Sequence, residues 1–236
     1  MNKKSVCPSF LENNEKNNSL RELVYSYMTE GMATGKLHYG KYLDQSAICR
    51  ELSISKAPLR DALIRLEAEG FVTILPNRGV FIKPLTIDVI KAAYQIIGAL
   101  EADCIDKNFH KITPEHIKQF EESNELQRHF LETGRYKEYY SENIYFHNIF
   151  ISLAENVLID EVLIPLRRRL YDFPRRSYSL EWENVHLEEH QRFIDSLKKG
   201  NRIAAVSIFR DEHWSFEVHQ KYFSTYYTFD YAFNQD

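Results

Sequence analysis

In the segment SENIYFHNIF, Asn143 and His147 stand four residues apart, so on a helix they project from one face about a turn apart. His190 in EEHQRF and His213 in RDEHWS fall on two other helical patterns. Three imidazoles and an amide oxygen from three antiparallel helices can converge on a divalent transition ion, of the zinc, nickel or manganese type, inside a bundle. Helical histidines are also commonly surface or hydrogen-bonded core residues, and the residues alone leave both readings open. A second set suits a different chemistry. Lys56, Arg60, Arg65 and Arg78 crowd into SKAPLRDALIRLEAEGFVTILPNRGVFIKP, residues 55–84, of a chain whose formal net charge is −4. Cations gathered on a small unit of an acidic protein suit phosphates and base edges.

The wider sequence bounds what can position these groups. The chain has 236 residues, room for one large domain or two ordinary ones, and 44% of them are hydrophobic, enough for a core. Eight Gly and seven Pro are too few for a many-turned all-β fold and favour long helices. Residues 1–85 hold 12 Lys+Arg against 9 Asp+Glu, and the remainder 18 against 25, so a basic first part precedes an acidic second part. Cys7, Cys49 and Cys104 follow no pairing motif, which suits free thiols in a reducing compartment. The polar start MNKKSVCPSFLENNEKNNSL lacks an apolar signal region, and no run approaches the roughly 18 apolar residues of a membrane span. The expectation is a cytoplasmic chain that does not enter a membrane.

Periodicity supplies the elements. LRELVYSYMTEGMATG spaces Leu20, Leu23, Val24, Tyr27 and Met28 as an amphipathic helix ending near Gly35, behind a flexible tail over residues 1–18. Asp44 is placed to cap a short helix QSAICREL. Ser55 is placed to cap a third, with Pro58 in its first turn and Leu59, Ala62, Leu63 and Leu66 as its buried stripe. FVTIL and VFIK then read as two strands joined by PNRG. From Thr86 onward only helical patterns occur, at about 86–109, 113–133, 136–153, 156–171, 182–199 and 201–223. The organisation expected is a DNA-binding unit over 19–85 and an all-helical unit over 86–236.

Three short helices followed by a hairpin form a winged helix-turn-helix. Its third helix buries a leucine stripe and projects Lys56, Ala57 and Arg60 from its first turn, where a helix laid in the major groove reaches base edges. The hairpin tip Asn77-Arg78-Gly79 offers an arginine to an adjacent minor groove, and Gly79 allows close approach of the backbone. Solvated charges on a small α+β unit, or a winged module that binds protein, are the other readings of the pattern.

SISKAPLRDALIRLEAEGFVTILPNRGVFI resembles the signature of the GntR family of bacterial transcription regulators, a helix of the form L-G-V-S-R-T-P-V-R-E-A-L followed by a P-N-R-G wing. The resemblance implies DNA contacts at Ser46, Ser55, Lys56, Ala57, Pro58, Arg60, Arg78 and Gly79. Lys56 and Ser46 stand where the family often has Arg, and Tyr39 and Ser53 where it has Pro and Gly. Exchanging Arg for Lys turns a bidentate fork into a point charge.

The helical part is similar to the FCD effector domain of the FadR-like subgroup. That domain carries D-x-x-x-H on one helix and single histidines on two later ones. Asn143, His147, His190 and His213 match in order, and the implied cofactor is a divalent metal that positions a small-molecule effector, an organic acid in many members. Here Asn143 replaces the metal-binding Asp, which removes a negative charge from the ligand set. Ile97 replaces an arginine that helps hold a carboxylate, leaving Arg135, Arg167, Arg169 and Arg192 as alternatives. The resemblance further implies a homodimer on paired operator half-sites and, more often than not, repression.

Two rival readings remain. HLEEH, with His186, Glu189 and His190, fits the H-x-x-E-H of inverted zinc peptidases and would make the chain a metal-dependent hydrolase. A bundle that binds its effector through apolar contacts alone would need no metal. The aromatic-rich segment from Trp214 onward reads as the stripe of a last helix packed on the core, or as a dimer contact.

Overall fold

The computed structural model describes residues 8–171 and 179–226, which form two compact units, one ending at Leu85 and the other beginning at Thr86. The first contains α1 (Pro8–Ala33), α2 (Gln45–Glu51), α3 (Lys56–Ala68), β1 (Val72–Leu75) and β2 (Gly79–Ile82). Helix α1 reaches back to Pro8, into the stretch whose polar composition suggested a flexible tail. Asn, Glu and Lys lack apolar periodicity there, but only a proline inside the helix would forbid it.

Leu59, Leu63 and Leu66 of α3 pack with Val24, Met28 and Met32 of α1 and with Phe71, Val72 and Val80 of the hairpin. Asp44 caps α2 by accepting the Ala47 N–H at 2.9 Å. Ser55 occupies the N-cap position of α3 with extended backbone, but its hydroxyl makes no capping bond, so α3 begins without the side-chain cap its sequence suggested. Ser53, in the turn between α2 and α3, has φ +52°, the left-handed conformation that explains why glycine suits this position. β1 and β2 pair antiparallel from Val72↔Ile82 to Leu75↔Gly79, leaving Pro76, Asn77 and Arg78 as the tip. The sequence did not show that residues 40–43 also line β2: the Leu43 N–H donates to the Val80 carbonyl at 2.8 Å, and Tyr42 bridges Phe81.

The second unit is helical throughout its described residues: α4 (Ile87–Asn108), α5 (Pro114–Glu132), α6 (Tyr136–Ile151), α7 (Val157–Tyr171), α8 (Leu180–Lys198), α9 (Arg202–Ser207) and α10 (Phe216–Tyr226). Thr86, Thr113 and Ser179 cap α4, α5 and α8 through their hydroxyls. The single helix expected over 201–223 is instead α9, a π-helix over Ile208–His213, a break at Trp214 and Ser215, and α10. Phe120, Phe146, Phe150, Phe193 and Phe209 make an aromatic core, with Phe193 and Phe209 centroids 4.7 Å apart. No described helix is long and apolar enough to cross a membrane. Trp214, Tyr222 and Phe223 are buried within this unit, as the core-stripe reading expects, whereas residues 227–236 of the aromatic segment lie outside the described residues, as does Cys7.

Candidate DNA-reading surface and buried histidine centre

The cations of the first unit divide into two groups. Arg65 stacks over the Tyr25 ring at 3.9 Å and pairs with Glu22 at 2.8 Å and Glu69 at 3.0 Å, so it ties α3 to α1. Lys36 pairs with Glu51, and Arg21 with Asp61 at 3.6 Å. Lys41, Arg50, Lys56, Arg60 and Arg78 are exposed and, among the described residues, have no ion-pair partner. Lys56, Ala57 and Arg60 project from the start of α3 beside exposed Ser55, and Ser46 is exposed at the start of α2. Arg78 stands on the hairpin tip, where Asn77 at φ +59° and Gly79 at φ +101° turn the chain. Pro58 differs from the other residues expected at DNA, because it is buried with Leu59 in the core and shapes the first turn of α3 from inside.

In the second unit, α6, α8 and the π-helix deliver His147, His190 and His213 to one buried point. One ring nitrogen from each lies within 4.8 Å of the others, and the ring centroids are 5.0–5.3 Å apart. Asn143 is buried one turn before His147 on the same helix. His147 Nδ1–H donates to Glu101 Oε2 at 2.8 Å, and His213 Nδ1–H to Glu189 Oε2 at 2.9 Å. Carboxylates on Nδ1 fix the tautomer that leaves Nε2 as the lone-pair atom, as around many bound metals. His147 Nε2 and both nitrogens of His190 are buried without hydrogen-bond partners. Buried polar atoms are nearly always satisfied, so three orphaned nitrogens mark a place where a ligand belongs. His190 also stacks flat on Phe146 at 4.0 Å, which fixes its ring plane.

Burial first, and nearby positive groups second, favour the neutral forms of His147 and His190. Burial, with His213 and Arg167 nearby, lowers His147 to about 4 despite the pull of Glu101. Burial and the neighbouring imidazoles hold His190 well below its ordinary value. Burial opposes the charge of Glu101, yet His147 and Arg167 hold its carboxyl at about 2. Arg167, buried on α7, donates to Glu101 Oε1 and, at 3.2 Å, to Asn148, and Trp214 Nε1–H donates to Glu101 Oε2 at 2.7 Å. Neutral imidazoles and no free proton on Nε2 are the state a divalent ion requires, so the donor set fits such an ion.

Of the four arginines considered for an effector carboxylate, Arg167 is the buried one beside the centre. Arg135 pairs with Glu138 and Arg192 with Glu212 at the surface, and Arg169 is half-buried. Ile97 is fully buried on α4, one turn before Glu101. The HLEEH pattern does not form one constellation: His190 belongs to the three-histidine group, whereas His186 lies with Glu189 and His219. Glu101, Trp214 and His219 were not singled out from sequence for this site, and Arg167 was one of four arginines the sequence could not choose among. Glu101 left a signal, a carboxylate on the apolar stripe Ile97–Glu101–Ile105.

A winged helix-turn-helix with unpaired cations at its reading helix and wing, followed by a helical unit with a ligand-shaped polar centre, defines a bacterial transcription regulator. Residues 20–82 match the pattern of the bacterial regulatory proteins of the gntR family and residues 92–212 that of the FCD domain, and the chain belongs to this family. It is 24% identical over 159 residues to the Nta operon transcriptional regulator of Aminobacter aminovorans, covering 64% of this chain and 70% of that one. It is 27% identical over 101 residues to an uncharacterized HTH-type transcriptional regulator of Mycobacterium tuberculosis, a match that spans only 41% of that relative's length and 43% of this chain. A solved GntR regulator from Rhodococcus sp. RHA1 shares the fold with TM-score 0.66 at 19% identity, covering 87% of this chain and 97% of that one. The matching families and relatives are transcription regulators rather than enzymes, which sets aside the hydrolase reading.

Proposed function

We propose that the chain is a ligand-responsive repressor, acting as a homodimer on operator DNA, whose 86–236 unit binds a divalent transition metal and a small-molecule effector. In this reading residues 19–85 form the DNA-binding domain. Lys56 and Arg60 reach base edges, Ser46, Ser55 and Ala57 line the same surface, and Arg78 with Gly79 engages the flanking groove. Asn143, His147, His190 and His213 hold the ion. A bound ion supplies positive charge that an effector carboxylate or carbonyl oxygen can coordinate. Arg167, paired with the Glu101 that holds His147, is a buried protein cation beside that point. An effector that binds one state of the helical unit better than the other shifts operator affinity by that difference.

The observation that carries this reading is the set of orphaned, buried nitrogens on His147 and His190. An E. coli relative, 22% identical over 136 residues and covering 58% of this chain and 60% of that one, is named as the HTH-type transcriptional repressor RspR, which supports the sign of regulation. The test begins with protein purified without added metal. Elemental analysis is expected to find one zinc, nickel or manganese per chain, and native mass spectrometry a small molecule released when the metal is chelated. Protein with no stoichiometric metal and with an effector response unchanged in His147→Ala would instead support the metal-free pocket. Operator binding is expected to weaken linearly in log salt, with a slope of about −0.9 per phosphate contact.

A further inference from the structure

Beside the three-histidine centre lies a second polar group. His186, Glu189 and His219 each bring one ligand-type atom within 4.8 Å of the others, a spacing that would suit a second ion. The hydrogen bonds of His219 argue against that use. Trp182 Nε1–H donates to His219 Nδ1 at 3.0 Å. An indole nitrogen only donates, so Nδ1 carries no proton and the neutral ring keeps its proton on Nε2. That Nε2–H faces the Glu212 carbonyl oxygen at 3.1 Å and Glu189 Oε1 at 3.5 Å. An ion on Nε2 would drive the proton to Nδ1, directly against the indole N–H.

We infer that His219 is a positioning residue for the metal centre, holding from α10 both the carboxylate and the backbone turn that orient His213. This rests on the reading of His147, His190 and His213 as metal ligands. Two routes lead from His219 to His213. One runs through Glu189, whose Oε1 faces His219 and whose Oε2 accepts the His213 Nδ1–H at 2.9 Å. The other runs through the Glu212 carbonyl, one residue before His213 in the π-helix. A π-helix is a locally loosened turn that recurs at functional sites, and this one is clamped from outside by His219. Among the described residues, the ring neighbours of His219 include His186, with centroids 5.0 Å apart, Tyr94, Trp182 and Tyr222.

Helix α10 is docked by aromatic contacts. Tyr222 stacks on Trp182 at 5.3 Å, and Phe223 meets Tyr94 edge-on at 5.2 Å. His219 is thus the polar link between an aromatic dock and a ligand of the ion. It lies seven residues beyond residue 212, where the FCD match ends. Docking of α10 and metal binding are therefore coupled, and the coupling is reciprocal: whatever factor docking adds to metal affinity, the metal returns to docking.

The full-length protein tests this with Co²⁺ as the probe, read by its visible spectrum and by calorimetry. His219→Phe keeps a ring in the aromatic dock but removes both polar atoms. It is expected to weaken Co²⁺ binding about 10–100-fold, the range seen when partners of metal ligands are removed, and to alter the Co²⁺ spectrum. His219→Gln keeps a donor and an acceptor and is expected to recover most of the affinity and the wild-type spectrum. In the wild type, Co²⁺ is expected to slow amide hydrogen exchange across 216–226, a measurement that needs no variant. His219→Phe binding Co²⁺ within twofold of wild type and with the same spectrum, or no slowing of exchange in α10 on metal addition, overturns the inference and leaves the metal reading intact. A wild-type protein that takes up no Co²⁺ overturns both.

Discussion

The two units carry their chemistry in opposite places. In the first, the working groups face outward: Lys56, Arg60 and Arg78 are exposed and unpaired, while Arg65, close by in sequence, is tied to Tyr25, Glu22 and Glu69. In the second, the working groups are sealed within the bundle and hydrogen-bonded to one another. Glu101 meets Arg167, and burial favours the neutral forms of His147 and His190. On the proposed function, the difference follows from the partner. A polyanion is met at a surface, where counterion release drives binding. A small ion is held where water is excluded and ligand geometry is fixed by packing.

The contrast can be broken most sharply at the centre. His190→Ala removes a proposed ligand outright and is expected to lower metal affinity by more than about 100-fold, since loss of supporting groups alone reaches 10–100-fold, while operator binding by the metal-free protein stays unchanged in fluorescence anisotropy. An equal loss of DNA affinity in the apo state would erase the division of labour. Next, Arg60→Ala is expected to cost about 1–3 kcal/mol of operator binding and to relax preference at one base position. Arg65→Ala should instead lower the melting temperature of the DNA-binding unit, by an amount set by an exposed ion pair and cation–π contact worth about 1 kcal/mol each, with sequence preference intact. If Arg65→Ala changed the preferred site, the paired and unpaired cations would not be functionally distinct.

Acid sharpens the comparison further. His147, at about 4, and His219, at about 3, both have folded values below the ordinary 6.5, so their neutral burial stabilises the fold fully above that value. As pH falls from 6.5 towards 4, the unfolded chain takes up protons the folded chain refuses, and stability drops by up to about 1.4 kcal/mol per pH unit for each such histidine. Calorimetry or two-probe unfolding should show the helical unit weakening over this window while the winged unit, which has no buried histidine among its described residues, holds. The smallest effect is expected at Ser53. Its φ of +52° is left-handed, and Ser53→Gly should raise the stability of the winged unit by about 1 kcal/mol in chemical denaturation.

Legibility in the sequence followed the same division. The leucine stripe of α3, the Asp44 cap and the hairpin turn are local signals, set by residues within a few positions of one another, and they placed the outward-facing cations. The spacing of Asn143 and His147 was local too, and it identified one shared face. What brought His190 and His213 to the same point was tertiary packing around Phe146, Phe193 and Phe209, which no local pattern encodes. The support that Glu101 and Glu189 give to the histidines could not be read locally, and Glu189 stood out only within HLEEH, because their partners His147 and His213 lie 46 and 24 residues away. The helix pattern over 201–223 also concealed its own interruption. Apolar periodicity continues through Ile208 and Phe209, and a π-turn differs from an α-turn by a single extra residue.

That extra residue has an evolutionary reading. Each position along an α-helix turns the chain by about 100°, and a π-turn spreads one turn over an extra residue, so winding these same residues as an α-helix would swing both His213 and Trp214 away from Glu189 and Glu101. Substitutions that favour one winding over the other would thus admit or withdraw both side chains together, with every participating residue already in the gene.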